Sequence, residues 1–236
     1  MSPTLDEAME RRVVDGKDKP GKLVGIGAGD PARGTTVTIH GINGSPEDVR
    51  PFTDLAMSKG QHVMTYMYDD QYRRLEDSSR DLAAELSQWV TNNPARPLRI
   101  DAHSMGGRVV LGALKQLMDE NKMPARLDLN LVAPPLAGYG SANGARMAPG
   151  FIGRMIAGVE PGRDMGTNSD FQRMLAALRL PASVTVRVFI GTADDVVDGK
   201  DPAFEQMVHN LGASLTRLSG ADHVTAVAQA AALTPH

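Results

Sequence analysis

Leu98 to Met118, LRIDAHSMGGRVVLGALKQLM, passes from a β-type run into a helical pattern through Asp101-Ala102-His103-Ser104-Met105-Gly106-Gly107. Leu98 to Ala102 predicts a strand. From about Gly106 to Asn121, Val109, Val110, Ala113, Leu114, Leu117 and Met118 share one face of a predicted helix. The turn between them reads as a nucleophile elbow. A serine there sits on a tight turn with its hydroxyl exposed, and small residues two before and two after it let strand and helix approach. Ala102 and Gly106 fill those positions, and the helix N-terminus favours negative charge beside the hydroxyl. Ala102 stands where the strict G-x-S-x-G pattern has its first glycine. The blander reading, a serine that merely caps a helix, ignores the strand in front of it.

Outward from this turn, apolar runs alternate with helical patterns from Thr35 to the end, the signature of a parallel sheet covered by helices. Strands are expected at Thr35 to His40, Gln61 to Tyr68, Arg126 to Ala133, Val184 to Ile190 and Ser214 to Leu218. Ser45, Pro46 and Asp48 form a helix start before the apolar face Val49, Phe52, Leu55 and Ala56, and Gly60 stops that helix. Further helices are expected around Leu82 to Val90, Ser169 to Leu178, Phe204 to Leu211 and Val224 to Ala231. The division predicted is an N-terminal arm or edge hairpin over residues 1–34 and one α/β domain over 35–236. Within it, residues 134–168 are Gly-, Met- and Ala-rich, too long for an ordinary connection, and read as a cap or lid insertion.

A serine nucleophile needs a base and an acid, and in this architecture the acid and then a histidine follow it along the chain. Gly191-Thr192-Ala193-Asp194-Asp195-Val196-Val197 leaves a buried-type strand at the sheet's carboxyl edge, where open α/β sheets bind ligands. Asp194 fits G-x-x-D-x-[IV]-V, whereas Asp195 and Asp198 suit solvated loop carboxylates. Gly220-Ala221-Asp222-His223 follows the last strand, so His223 is the candidate base. His209, within a helix, and His236, at the chain end, are poorer candidates. His40-Gly41-Ile42-Asn43-Gly44 ends the first core strand and shapes a candidate oxyanion hole, with the N–H groups of Ile42 and Met105 as donors. His40 and Gly41 border the substrate, with His40 expected to pack rather than act as base, and His103 likewise.

Composition closes off several classes. The 236 residues are 42% hydrophobic and 22% charged, enough for one domain with a sizeable core. Twenty-five Lys and Arg against 28 Asp and Glu give a net charge of -3, so no basic excess supports nucleic-acid binding. Apolar stretches fall far short of the roughly 20 residues that span a bilayer. The polar start lacks the n- and h-regions of a secretory signal, which favours a cytoplasmic setting, although a mature exported chain would look the same. Without cysteine there are no disulfides, thiolate nucleophiles or Cys-ligated zinc. Gly25-Ile26-Gly27-Ala28-Gly29 suggests a dinucleotide loop, but Asp30 and Pro31 follow where a third glycine and a helix should stand. Asp69, Asp70 and Tyr72 could ligate a cation, yet adjacent acids are more often solvent-facing. Neither metal nor cofactor is expected.

Taken together, His-Gly after the first core strand, Ala-His-Ser-Met-Gly-Gly, Gly-x-x-Asp-x-Val-Val and a late Asp-His resemble the α/β-hydrolase superfamily over roughly Thr35 to Ala231. Within it, HGINGSPEDVRPF (His40 to Phe52) and GRDMGTNSDFQRML (Gly162 to Leu175) resemble the oxyanion loop and post-cap helix of bacterial serine esterases and lipases. Several bacterial lipases share the Ala102 departure. The resemblance implies a Ser104-His223-Asp194 triad acting on small-molecule or lipid esters through an acyl-enzyme, with transient contact at a lipid surface. Thioesterases, amidases and acyltransferases share the same short motifs, and a non-catalytic ligand-binding module is the remaining alternative. In the cap, Phe151, Ile152, Met155, Ile156 and Val159 fall on one helical face, with Phe151, Met155 and Ile156 expected to line an acyl pocket.

Overall fold

The computed structural model describes residues 19–139 and 160–235. Seven strands form one sheet: β1 (Lys22–Ile26), β2 (Asp30–Ile39), β3 (Gln61–Met67), β4 (Leu98–His103), β5 (Leu127–Val132), β6 (Val184–Gly191) and β7 (Ser214–Leu218). Their order is β1-β3-β2-β4-β5-β6-β7. All neighbours run parallel except β1, which pairs antiparallel with β3. The helices are α1 (Arg50–Ser58), α2 (Leu75–Asn92), α3 (Met105–Asp119), α4 (Glu160–Met165), α5 (Asp170–Ala177), α6 (Pro202–Asn210) and α7 (Ala226–Leu233), with a 3-10 turn over Pro46–Val49 ahead of α1. This is the mostly parallel, helix-flanked α/β-hydrolase architecture.

Every strand expected from Thr35 onward is present, and β2 starts earlier, at Asp30, with a register shift before Thr35. The Gly25–Gly29 stretch ends β1 and turns into β2, with Gly27 at φ +69°, so no helix follows it. The chain steps from β2 outward to β3 and then crosses back to β4. The topological switch therefore falls between the carboxyl ends of β2 and β4.

Helix packing brings that switch point together. α2 and α3 lie on one face of the sheet, α1 and α7 on the other. Against α2 and α3 the strands present Val37, Ile39, Ile100, Leu129 and Leu131, all fully buried. A Cβ on Gly106 would sit 2.4 Å from the His40 carbonyl oxygen. Only glycine there lets the start of α3 rest against the end of β2. Gly41 makes the reciprocal contact, since a Cβ on it would sit 2.8 Å from the Ser104 Cβ.

The ends of the 134–168 segment are pinned to α3. Arg108, fully buried, donates through Nη1 to the Pro135 carbonyl (2.9 Å) and Gln172 Oε1 (2.5 Å), and through Nη2 to the Asp164 carbonyl (2.7 Å). Burial lowers its pKa to about 10, so it stays charged at neutral pH. Tyr139 N–H donates to the Met165 carbonyl at 2.7 Å, closing the two ends on each other. Phe151, Met155 and Ile156, the residues expected to line the acyl pocket, lie outside the described residues.

Candidate active site

Ser104 joins β4 to α3 with φ 52° and ψ -127°, a left-handed conformation that costs a non-glycine residue about 1–3 kcal/mol. Its surroundings hold it there. Ser104 N–H donates to the Val132 carbonyl (2.8 Å), and its own carbonyl accepts from Gly107 N–H (2.9 Å). The strand direction and this bend leave Oγ at the carboxyl edge of the sheet, at the amino end of α3.

Asp194 leaves β6 two strands away, and its Oδ1 accepts from the N–H groups of Val196 (2.8 Å) and Val197 (2.9 Å). That turn locks the carboxylate, whose side chain is fully buried. His223 enters from the loop after β7. Its Nδ1 lies 3.0 Å from Asp194 Oδ2 and its Nε2 lies 2.9 Å from Ser104 Oγ. The three side chains named from the sequence thus meet in one continuous hydrogen-bonded line. Asp195 and Asp198 are exposed, as expected of solvated acids. The tautomer this line requires has Nδ1–H donating to the carboxylate and a bare Nε2 accepting from the serine hydroxyl.

The loop after β2 faces Ser104 from the other side. Met105 opens α3, so its N–H has no acceptor within the helix. Ile42 is partly buried and packs on the core beside it. Asn43, at φ 51°, holds the loop through its Oδ1, which accepts from Gln71 Nε2 at 2.6 Å. Gly44 N–H donates to Asp70 Oδ2 at 3.1 Å. Asp70 is buried, so the expectation that Asp69 and Asp70 both face solvent is corrected: Asp70 anchors the loop after β2. Asp69 Oδ1 accepts from the N–H groups of Gln71 (3.0 Å) and Tyr72 (2.9 Å), which closes a turn. His40 is fully buried, stacked on Tyr68 at 4.7 Å, with Nδ1 2.8 Å from the Gly41 carbonyl, and it lies in the core rather than in line with Ser104.

Two residues were not assigned to this site from the sequence. His103 Nε2 lies 2.9 Å from the His223 carbonyl, and the two rings tilt against each other at 4.9 Å. Burial and the neighbouring His223 lower the His103 pKa to about 4. A neutral ring with its proton on Nε2 therefore donates to the backbone that carries His223. Tyr139 is the other: burial and the Asp194 carboxylate push its phenol up, against the pull of Arg108. Only the His103 position next to Ser104 offered a signal in the sequence. Among the described residues no three His, Asp or Glu side chains gather in a way that could hold a metal ion. Nor, among them, is any helix long and apolar enough to cross a membrane.

Residues 52–138, less than half of the chain, match the family described as "Alpha/beta hydrolase of unknown function (DUF900)". No curated protein matches the chain in sequence. Among solved structures, Aspergillus fumigatus lipase B superposes with a TM-score of 0.62 at 16% identity, over 81% of this chain and 46% of that one. The chain thus spans less than half the length of that lipase. A Bacillus licheniformis lipase in mature form gives a TM-score of 0.59 at 15% identity, covering 89% of this chain and 94% of the other. The Pyrobaculum calidifontis esterase gives 0.61 at 16% identity, covering 84% and 75%. The chain has the α/β-hydrolase fold and resembles solved esterases and lipases in that fold.

Proposed function

We propose that the protein is a serine hydrolase of carboxylic esters working through an acyl-enzyme intermediate. The observation that supports this reading is the unbroken line Ser104 Oγ to His223 Nε2 to Asp194, on a serine held at φ 52°. Ser104 Oγ attacks the ester carbonyl as His223 Nε2 takes its proton, and Asp194 stabilises the imidazolium that forms. The tetrahedral oxyanion sits against the N–H groups of Ile42 and Met105, where the amino end of α3 adds a favourable dipole. His223 then delivers the proton to the leaving alcohol. In the second half-reaction it takes a proton from water, whose oxygen attacks the acyl carbonyl, and Ser104 leaves with the proton returned.

A p-nitrophenyl ester series of increasing acyl length tests this reading. Wild-type protein hydrolyses the series, while well-folded Ser104→Ala loses roughly 10⁶ in turnover. Specificity rises beyond acetate if an acyl pocket is present, since each buried methylene contributes up to about 0.8 kcal/mol. Equal rates in wild type and Ser104→Ala would end the serine-hydrolase reading.

A further inference from the structure

The sheet face covered by α1 and α7 is polar. Strand register aligns Thr36, Arg99 and Asp128 in one row and Thr38, Asp101, Asn130 and Arg187 in the next. A parallel sheet covered on both faces normally carries apolar side chains on both. Arg99 lies over the Phe52 ring of α1 at 5.7 Å, and the buried face of α7 is small: Ala226, Val227, Ala230 and Ala231. The stripe opens at the amino edge, the edge opposite Ser104, into a cavity of about 350 Å³. That volume lies within the range of small-molecule sites, about 300–1,000 Å³.

The charges in the cavity do not cancel. Arg99 Nε is paired with Asp101 at 2.9 Å, and Arg187 Nη1 lies 3.5 Å from Asp128. Arg33, Lys59 and Arg126 then stand exposed around the mouth, and among the described residues none of them has a carboxylate within salt-bridge distance. Two of the lining residues carry a buried polar atom without a partner among the described residues, Asn130 Oδ1 and Arg99 Nη2. Asn130 is fully buried, and its Nδ2 donates to Asp101 Oδ1 at 2.6 Å, which fixes the amide orientation and leaves Oδ1 as a bare acceptor. Burying such groups unmatched is costly.

We infer that this cavity binds a small hydroxylated oxyanion, a polyol phosphomonoester or a hydroxycarboxylate. Arg33, Lys59 and Arg126 take the anionic group, Arg99 Nη2 donates to one of its oxygens, and a ligand hydroxyl donates to Asn130 Oδ1. Cations that receive oxyanions give the stronger, charge-assisted hydrogen bonds. The site lies on the edge of the sheet remote from Ser104 and stands independently of the esterase reading.

Calorimetric titration of the full chain with glycerol 3-phosphate and with citrate, at constant ionic strength set by chloride, tests it. The triple variant Arg33→Ser, Lys59→Ser, Arg126→Ser removes the rim. Arg80→Ser, Lys122→Ser, Arg173→Ser removes the same charge from exposed positions elsewhere. Wild type and the control triple are expected to bind at least one probe with equal affinity, and the rim triple to bind it at least about tenfold more weakly. A preference for glycerol 3-phosphate identifies the phosphomonoester class and a preference for citrate the hydroxycarboxylate class. No binding of either probe to wild type, or equal weakening in both triples, overturns the site.

Discussion

The central residue-level result is how little freedom Ser104, His223 and Asp194 retain. Two backbone N–H groups hold Asp194 Oδ1, so its Oδ2 meets His223 Nδ1 at a fixed place. Asp194→Asn is therefore expected to lower ester turnover by roughly 10⁴, because an amide favours the wrong imidazole tautomer. Asp195→Asn, one residue on and exposed, should change turnover by less than about threefold, and steady-state kinetics on both variants separate them. A large loss at Asp195 instead would move the acid by one residue. His103 gives a prediction about pH. Its folded pKa, about 4, lies below the ordinary 6.5, so the unfolded chain binds the proton first as pH falls. Stability contributed by the neutral ring is complete above about 6.5 and is lost as pH falls toward 4. The loss amounts to about 3 kcal/mol. Urea unfolding of His103→Gln should show a shallower fall between pH 7 and 4.5 than wild type, and an unchanged slope would refute the assignment.

At the scale of elements, α3 organises the site. Its first turn carries Met105, the close contact of Gly106 with β2, and Arg108, which reaches both flanks of the 134–168 segment. Arg108→Met removes a buried cation with three hydrogen bonds; the Pro135 carbonyl keeps Gly138 N–H (3.1 Å) and the Asp164 carbonyl keeps Ser169 Oγ (2.9 Å), while Gln172 Oε1 loses its donor. With one unmatched buried acceptor costing about 1–3 kcal/mol, a loss of that size is expected in denaturant unfolding. A change below about 1 kcal/mol would mean that Arg108 is not the strut. The elements themselves were legible because each helix and strand carries its own local period and punctuation, as with Ser45-Pro46 before α1 and Gly60 after it. The placement of Ser104, Asp194 and His223 was legible too, since each follows a recognisable strand. Arg108 was not, because an arginine on an amphipathic helix reads as solvated until its partners arrive from 27, 56 and 64 residues away. The polar stripe was visible as alternation in TTVTI, LRIDA, LDLNL and VTVRV. Its pairing is set only by register between strands distant in sequence, which no local pattern carries.

Across the whole molecule, one sheet separates two chemically unlike edges. The carboxyl edge gathers the strained serine, its histidine and a buried carboxylate at the topological switch, and the amino edge gathers Arg33, Lys59 and Arg126 around a polar cavity. The lipases and esterase it resembles share the sheet and its helices at 15–16% identity, so the reaction rests on the side chains of this chain rather than on the likeness. Covalent labelling with a fluorophosphonate reads directly whether Ser104 is a nucleophile activated by His223. Intact-mass and peptide mapping should show one adduct, on Ser104, in wild-type protein. Labelling should disappear in Ser104→Ala and be slowed by several orders of magnitude in His223→Ala. An unlabelled wild-type chain that is folded, or an adduct on another residue that persists in Ser104→Ala, would contradict it.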